Sequence, residues 1–129
     1  MTAYAFGKTV NLDFATACER VTAELATQGF GVLTEIDVAA TMKKKLDLDM
    51  PPYKILGACN PNFARQAIAA QPEIGALLPC NVVVRTDAAG AVHVEFMDPD
   101  AILKLTEHPD VAKLAGEVRG RLMTVMNAL

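Results

Sequence analysis

A β-hairpin in the second half of the chain constrains the fold more than any other feature of the sequence. Residues 80–86 read CNVVVRT, residues 92–97 read VHVEFM, and the turn residues DAAG stand between them at 87–90. Two runs rich in β-formers that flank a glycine-containing turn predict two antiparallel, neighbouring strands. A wholly parallel sheet is therefore disfavoured.

The remaining segments predict a sheet of about five strands with helices between them. We expect further strands over residues 4–10, 30–37 and 53–59, and helices over residues 38–46 and 61–70. Asp13 is a suitable cap for an earlier helix that ends at Gly29, and short and long helices are expected to begin at Pro99 and Pro109. The apolar stripes of the two long helices predict that both pack on one face of the sheet. The chain is thus predicted to be a single α+β domain, residues 1–129, with a mostly antiparallel sheet.

Composition and charge exclude several classes of partner and location. The 129 residues carry 12 Lys and Arg against 15 Asp and Glu, a net charge of −3, which does not suggest a nucleic-acid partner. The apolar runs are far shorter than the roughly 18 residues of a membrane span, so no membrane partner is expected. No signal peptide is evident, because the first residues lack a basic region followed by an apolar one. The odd number of cysteines, three, argues against a disulfide framework. These features predict a cytoplasmic protein.

Two cysteines that each precede an asparagine are the best candidates for chemistry. Cys59 and Asn60 end a predicted strand just before Pro61, whereas Cys80 and Asn81 begin the hairpin. If Asn60 caps a helix that starts at Pro61, the helix N-terminus favours a thiolate at Cys59. A pair of thiols at one end of the sheet could cycle through a disulfide, hold a persulfide or supply two metal ligands. The alternative is that Cys59 is a small apolar residue that packs at the end of a strand.

Other polar residues have weaker functional interpretations. Glu35 and Asp37 are two apart on a strand and share a face, where they could bind a cation, accept hydrogen bonds from a ligand, cap a turn or be solvated. His93 could be a metal ligand, a proton shuttle or an exposed strand residue. Asp98 is better explained as a helix cap, and Cys18, on the apolar stripe of the first long helix, as a core residue.

Together these segments resemble the bacterial and archaeal family called domain of unknown function 302. The similarity covers nearly the whole chain and lies in residues 29–37 (GFGVLTEID), 53–61 (YKILGACNP), 74–85 (IGALLPCNVVVR) and 98–99 (DP). The resemblance implies a compact α+β fold similar to one half of a TATA-binding protein, a homodimer, and no established activity. It also implies that both cysteine-asparagine segments and the strand of Glu35 and Asp37 are signature positions.

Three functions remain open at this point, and the sequence identifies neither a reaction nor a cofactor. The first is a binding module with a cysteine-lined site for a small molecule or metal ion. Its candidate binding residues are Cys59, Asn60, Cys80, Asn81, Glu35 and Asp37, and His93 is a further candidate. The second is a thiol-dependent redox or sulfur-carrying protein in which Cys59 reacts and Cys80 is its partner. The third is a structural or interaction domain without chemistry. A homodimer is expected in addition, because an open sheet in a short chain leaves a strand edge unprotected.

Overall fold

The computed structural model describes residues 2–129. Its strands are β1 (Ala5–Val10), β2 (Gly31–Asp37), β3 (Tyr53–Cys59), β4 (Cys80–Thr86) and β5 (Val92–Met97). Its α-helices are α1 (Phe14–Thr27), α2 (Val38–Leu46), α3 (Pro61–Ala70), α4 (Pro99–Leu103) and α5 (Pro109–Asn127), and short 3-10 helices cover Pro72–Leu77 and Lys104–Thr106. The predicted α+β class is confirmed.

The five strands form one antiparallel sheet in the order β1-β5-β4-β3-β2. The predicted hairpin is its centre, with Val83 opposite Glu95 in β4 and β5. β1 pairs with β5, and β2 pairs with β3 after a register shift between Val32 and Thr34. The first two strands of the chain therefore occupy the two edges of the sheet.

Side chains alternate along each strand and so give the sheet two faces. Helices cover one of these faces and leave the other uncovered. The covered face and the helices against it form a core. Its fully or almost fully buried members include Leu56, Ala58, Val82, Val84, Val94 and Phe96 of the sheet, Ala17, Val21 and Leu25 of α1, and Leu122 and Val125 of α5. The prediction that two long helices pack on one face is confirmed. A second buried cluster joins α3, α4 and α5 beyond the end of the sheet, through Ala67, Ile74, Leu103, Val111, Leu114 and Ala115.

Helix caps and a helix end fix the local boundaries. Asp13 Oδ1 accepts a hydrogen bond from Thr16 N (2.7 Å) at the start of α1. β2 begins one residue later than predicted, because Phe30 N still donates to Leu25 O (3.0 Å) and closes the end of α1. Gly29 makes this end possible through its φ of 81°.

None of the helices within residues 2–129 is both long and apolar enough to cross a membrane.

Candidate functional site

The two cysteine-asparagine segments meet where β3 and β4 run side by side. Ala58 of β3 lies directly opposite Cys80 of β4, and Cys59 follows Ala58 as the last residue of its strand. Cys59, Asn60 and Cys80 all line one cavity of about 30 Å³ beneath α3 and α5. The rest of its wall is apolar: Phe30, Ala58, Phe63, Ala64, Ala67, Leu78, Pro79, Leu103, Leu114 and Val118. Because a water molecule needs at least about 10–15 Å³ on this measure, the cavity has room for one or two water molecules or a single ion.

The environment of Cys80 favours the neutral thiol. The residue is 7% exposed, and burial raises the pKa of its thiol to about 11, with a smaller contribution from the nearby Cys59 side chain. At neutral pH Cys80 therefore carries its proton. A ligand that needs a thiolate must displace that proton when it binds.

Asn60 stands at the N-cap position of α3, as predicted, but its side chain has a different partner. Within residues 2–129 it makes no capping hydrogen bond to α3; its Nδ2 donates instead to the carbonyl oxygen of Gln28 at the end of α1 (3.4 Å). Arg121 Nη1 of α5 donates to the same oxygen (3.2 Å), and its guanidinium lies 5.3 Å from the centroid of the Phe63 ring. These contacts tie one wall of the cavity to α1 and α5.

Asn81 lies away from the cavity. It is exposed and pairs with Gly57 across β3 and β4, whereas its neighbours Cys80 and Val82 are buried under the helices. Strand alternation places consecutive residues on opposite faces, so Asn81 belongs to the uncovered face of the sheet.

Glu35 and Asp37 share one face of β2, as predicted, and it is the covered face. They lie at the sheet edge and not among the residues that line the cavity. Glu35 Oε1 accepts a hydrogen bond from Lys54 Nζ (2.5 Å), and Asp37 Oδ1 caps α2 by accepting from Ala40 N (2.8 Å). The structure thus separates the candidate residues: Cys59, Asn60 and Cys80 come together, whereas Glu35, Asp37 and Asn81 occupy other places.

Cys18 is half-buried and not a fully enclosed core residue. It lines an open groove of about 600 Å³ between α1 and the sheet, together with Glu35 and Lys54. Burial raises the pKa of its thiol, and the positive charge of Lys54 opposes that effect. Lys54 is not among the predicted site residues, although its position in β3, at an even spacing from the buried Leu56 and Ala58, places it on the covered face.

His93 lies on the uncovered face of the sheet, remote from both the cavity and the groove by strand alternation. Its Nε2 is 2.7 Å from Asp87 Oδ2, and its Nδ1 is 3.0 Å from Thr9 Oγ1. Asp98 caps α4 by accepting from Asp100 N (3.0 Å), as expected.

Neither a disulfide nor a larger set of metal ligands surrounds the cysteines in the described part of the chain. Cys18, Cys59 and Cys80 are free thiols. No group of three or more His, Cys, Asp or Glu residues between positions 2 and 129 is arranged to hold a metal ion. Cys59 and Cys80 therefore line the cavity as free cysteines in apolar surroundings.

Comparison with known proteins identifies similar chains. The family model described as "Domain of unknown function DUF302" matches residues 6–129. The crystal structure of an uncharacterised conserved DUF302 protein from Bacillus stearothermophilus is 25% identical in sequence, with a TM-score of 0.90 over 98% of each chain. A search of the curated proteins gives no match.

Proposed function

We propose that this chain, which belongs to the DUF302 family of domains of unknown function, is a binding module whose site is the cavity at Cys59 and Cys80. The observation that supports this proposal is that two cysteine residues from neighbouring strands line one small apolar cavity. A volume of about 30 Å³ admits an ion or one or two water molecules, but not an organic molecule. The ligand class is therefore a metal ion.

The ligand atoms favour a soft ion. Thiolates select soft ions such as Cu(I), whereas carboxylates and carbonyls suit Mg²⁺ and Ca²⁺. Because Glu35 and Asp37 lie elsewhere, the cavity offers sulfur without carboxylate oxygen. Cu(I) accepts two thiolates as its only ligands, so it fits a site that consists of Cys59 and Cys80.

The binding of Cu(I) should release protons. Since the pKa of the Cys80 thiol is raised to about 11, its proton is present at neutral pH and must leave when sulfur binds the ion. The apparent affinity should therefore rise as pH increases towards that pKa.

A competition titration tests the proposal. Reduced protein is titrated anaerobically with Cu(I) in the presence of a colorimetric Cu(I) chelator. Wild type should bind one ion per chain, whereas Cys59→Ser and Cys80→Ser should each weaken binding by at least about tenfold, the loss expected for a changed ligand environment. Cys18→Ser is the matched control and should bind as wild type does. Binding that is absent in wild type, or equally reduced by Cys18→Ser, would contradict the proposal.

A thiol-dependent redox function is the second candidate, and the same pair of cysteines supports it. Oxidation by a mild disulfide-forming reagent would then join Cys59 to Cys80, which peptide mapping without reductant detects. The raised pKa of Cys80 weighs against this function, because exchange requires a thiolate. If Cys59→Ala/Cys80→Ala behaves as wild type in both assays, the third interpretation, a structural or interaction domain, is favoured.

A homodimer through the edge strand β2 is also proposed. Leu33 and Ile36 of this strand are 67% and 49% exposed, and an edge strand presents backbone groups that a second copy can pair with. Light scattering at micromolar concentration should give twice the chain mass for wild type and a monomer for Leu33→Lys. Leu105→Lys, a change at another exposed leucine, should remain dimeric.

The three free thiols support the predicted reducing, cytoplasmic location.

A further inference from the structure

Three polar side chains form a hydrogen-bonded chain at the turn end of the β4–β5 hairpin. Thr9 of β1 lies directly opposite His93 of β5, and Thr9 Oγ1 is 3.0 Å from His93 Nδ1. On the other side of the ring, His93 Nε2 is 2.7 Å from Asp87 Oδ2. A hydroxyl, an imidazole and a carboxylate are thus joined in sequence, separately from the cysteine-lined cavity.

The hydrogen bonds of Asp87 determine which atoms donate and which accept in the series of Asp87, His93 and Thr9. Asp87 Oδ1 accepts from Ala89 N (2.9 Å) and Ala91 N (3.0 Å), and with the His93 contact these bonds lower the pKa of the carboxyl group. An ionised carboxylate can only accept, so His93 Nε2 carries the proton that points at Asp87. In neutral His93 the Nδ1 atom is then an acceptor, and the Thr9 hydroxyl donates to it.

We infer that Thr9 is a nucleophile that accepts an acyl group from an ester, with His93 as its general base and Asp87 as the residue that orients the imidazole. Carboxylate, imidazole and hydroxyl have the same order in enzymes that transfer acyl groups. Thr9 is an exposed residue, so a substrate can approach it from solvent.

The proposed step balances without a further reactant. Thr9 Oγ1 attacks the ester carbonyl carbon while its proton passes to His93 Nδ1. The bond between that carbon and the leaving oxygen then breaks, and His93 returns the proton to the departing alcohol. The products are an ester of Thr9 and the free alcohol.

The edge position of β1 supplies a donor for the charge that develops on the carbonyl oxygen. Along an edge strand, successive residues turn their backbone N–H groups alternately towards the partner strand and towards solvent. One of the neighbours Thr9 and Val10 therefore directs its N–H away from β5. Such a donor beside the nucleophile can stabilise the oxyanion.

The groove beside Thr9 indicates the substrate class. It has a volume of about 470 Å³ and is lined by the polar residues Thr9, Asn11 and Asp13 together with the small or apolar residues Val10, Leu12, Gly90, Ala91 and Val92. Asp13, which also lines it, is ionised, since its hydrogen bonds with Thr16 lower the pKa of its carboxyl group. We therefore expect a neutral or cationic ester with a short acyl chain and not an anionic acyl phosphate.

Acetylation by p-nitrophenyl acetate, followed by peptide mapping, tests the inference. Wild type should become acetylated at Thr9 faster than at Thr41, an exposed threonine whose hydroxyl donates to Asp37 O (2.8 Å) and not to an imidazole. Thr9→Ala should lose the modification, and His93→Gln should slow it by at least about 100-fold, the usual contribution of a general base. Acetyl phosphate at the same concentration should leave Thr9 unmodified.

Asp87→Asn separates the proposed role from a structural one. The amide oxygen can still accept from the turn, but the amide nitrogen donates to His93 Nε2 and so forces the proton onto Nδ1. Nitrogen-15 NMR should report this change of tautomer, and acetylation of Thr9 should slow as it does in His93→Gln.

Two results would overturn the inference. One is acetylation of Thr9 in wild type that is no faster than that of Thr41. The other is an Asp87→Asn protein that changes tautomer yet acetylates at the wild-type rate. If Asp87→Asn does not fold, folded His93→Gln decides the question, because it removes the base and leaves the turn intact.

Discussion

Gly57 of β3 and Thr34 of β2 lie so close together that residue 57 has no room for a side chain. A Cβ atom placed on Gly57 would overlap Thr34 Oγ1 and would lie 2.9 Å from Pro79 Cγ. Backbone and side-chain atoms from three segments therefore meet at this point. The contact holds the edge strand and the segment before Cys80 against β3.

Gly57→Ala should destabilise the protein by about 1–3 kcal/mol, the usual cost of overpacking, because the side chain of Thr34 or of Pro79 must shift to make room for the added methyl group. Urea unfolding followed by circular dichroism measures the change. Gly116→Ala is the control: Gly116 is exposed in α5 with open space around it, so the same substitution should stabilise by roughly 0.5–1 kcal/mol. Equal shifts in the two variants would contradict the crowding at Gly57.

Leu122→Ala should destabilise the protein by about 2–5 kcal/mol. Leu122 is fully buried in the middle of α5, so the change leaves a cavity between that helix and the sheet. Leu105→Ala, at a residue that is 72% exposed, should have little effect in the same unfolding measurement. A loss below about 1 kcal/mol at Leu122 would show that the surrounding core collapses into the space.

Alkylation should modify the three cysteines in a fixed order. Cys80 should react last and only as the protein unfolds, because it is buried and burial raises the pKa of its thiol to about 11. Cys59, beside the start of α3, should react before Cys18, whose thiol pKa is also raised by burial. Iodoacetamide labelling with peptide mapping gives the order. Labelling of Cys80 as fast as Cys18 in folded protein would be inconsistent with the structure.

Acid should remove the stabilisation that Glu95 provides. Arg85 Nε and Nη2 donate to the two carboxylate oxygens of Glu95 at 2.6 and 3.1 Å, and these bonds lower the pKa of that carboxyl group in the folded state. The ion pair therefore stabilises the fold above the ordinary pKa of a glutamate, and the contribution disappears as pH falls through the lowered value.

Glu95→Gln should accordingly be less stable than wild type at neutral pH and should lose less stability on acidification. Thermal unfolding between neutral and acidic pH measures both effects. Glu117→Gln, at an exposed residue of α5, should follow the wild-type curve. A Glu95→Gln curve parallel to wild type at every pH would exclude this carboxylate as the source of the acid sensitivity.

Local signals in the sequence predicted most helix and strand boundaries. β3 and β4 end and begin at Cys59 and Cys80 as expected, and α3 begins at Pro61, because proline fits the first position of a helix and cannot continue a sheet ladder. The family resemblance is also confirmed. Similarity to one half of a TATA-binding protein stays a prediction.

The grouping of the site residues could not be read from the sequence, because it depends on which strands pair and in what register. The shift between Val32 and Thr34 sets Glu35 opposite Leu56, where it meets Lys54 and not Cys59. The partner of Asn60 is likewise distant in sequence: the turn at Gly29 brings the Gln28 carbonyl to its side chain. Local capping rules identify the position of Asn60 but not this contact.

The pairing of β1 with β5 has a consequence for the synthesis of the protein. Thr9 and His93, partners across these strands, are 84 residues apart in the chain. At about 5–20 residues per second, β1 leaves the ribosome on the order of ten seconds before its partner exists. During that interval the apolar stripe of α1 also lacks most of the sheet it will cover. The sheet can therefore be completed only after β5 has left the ribosome, and until then β1 is an unpaired strand that a chaperone can protect.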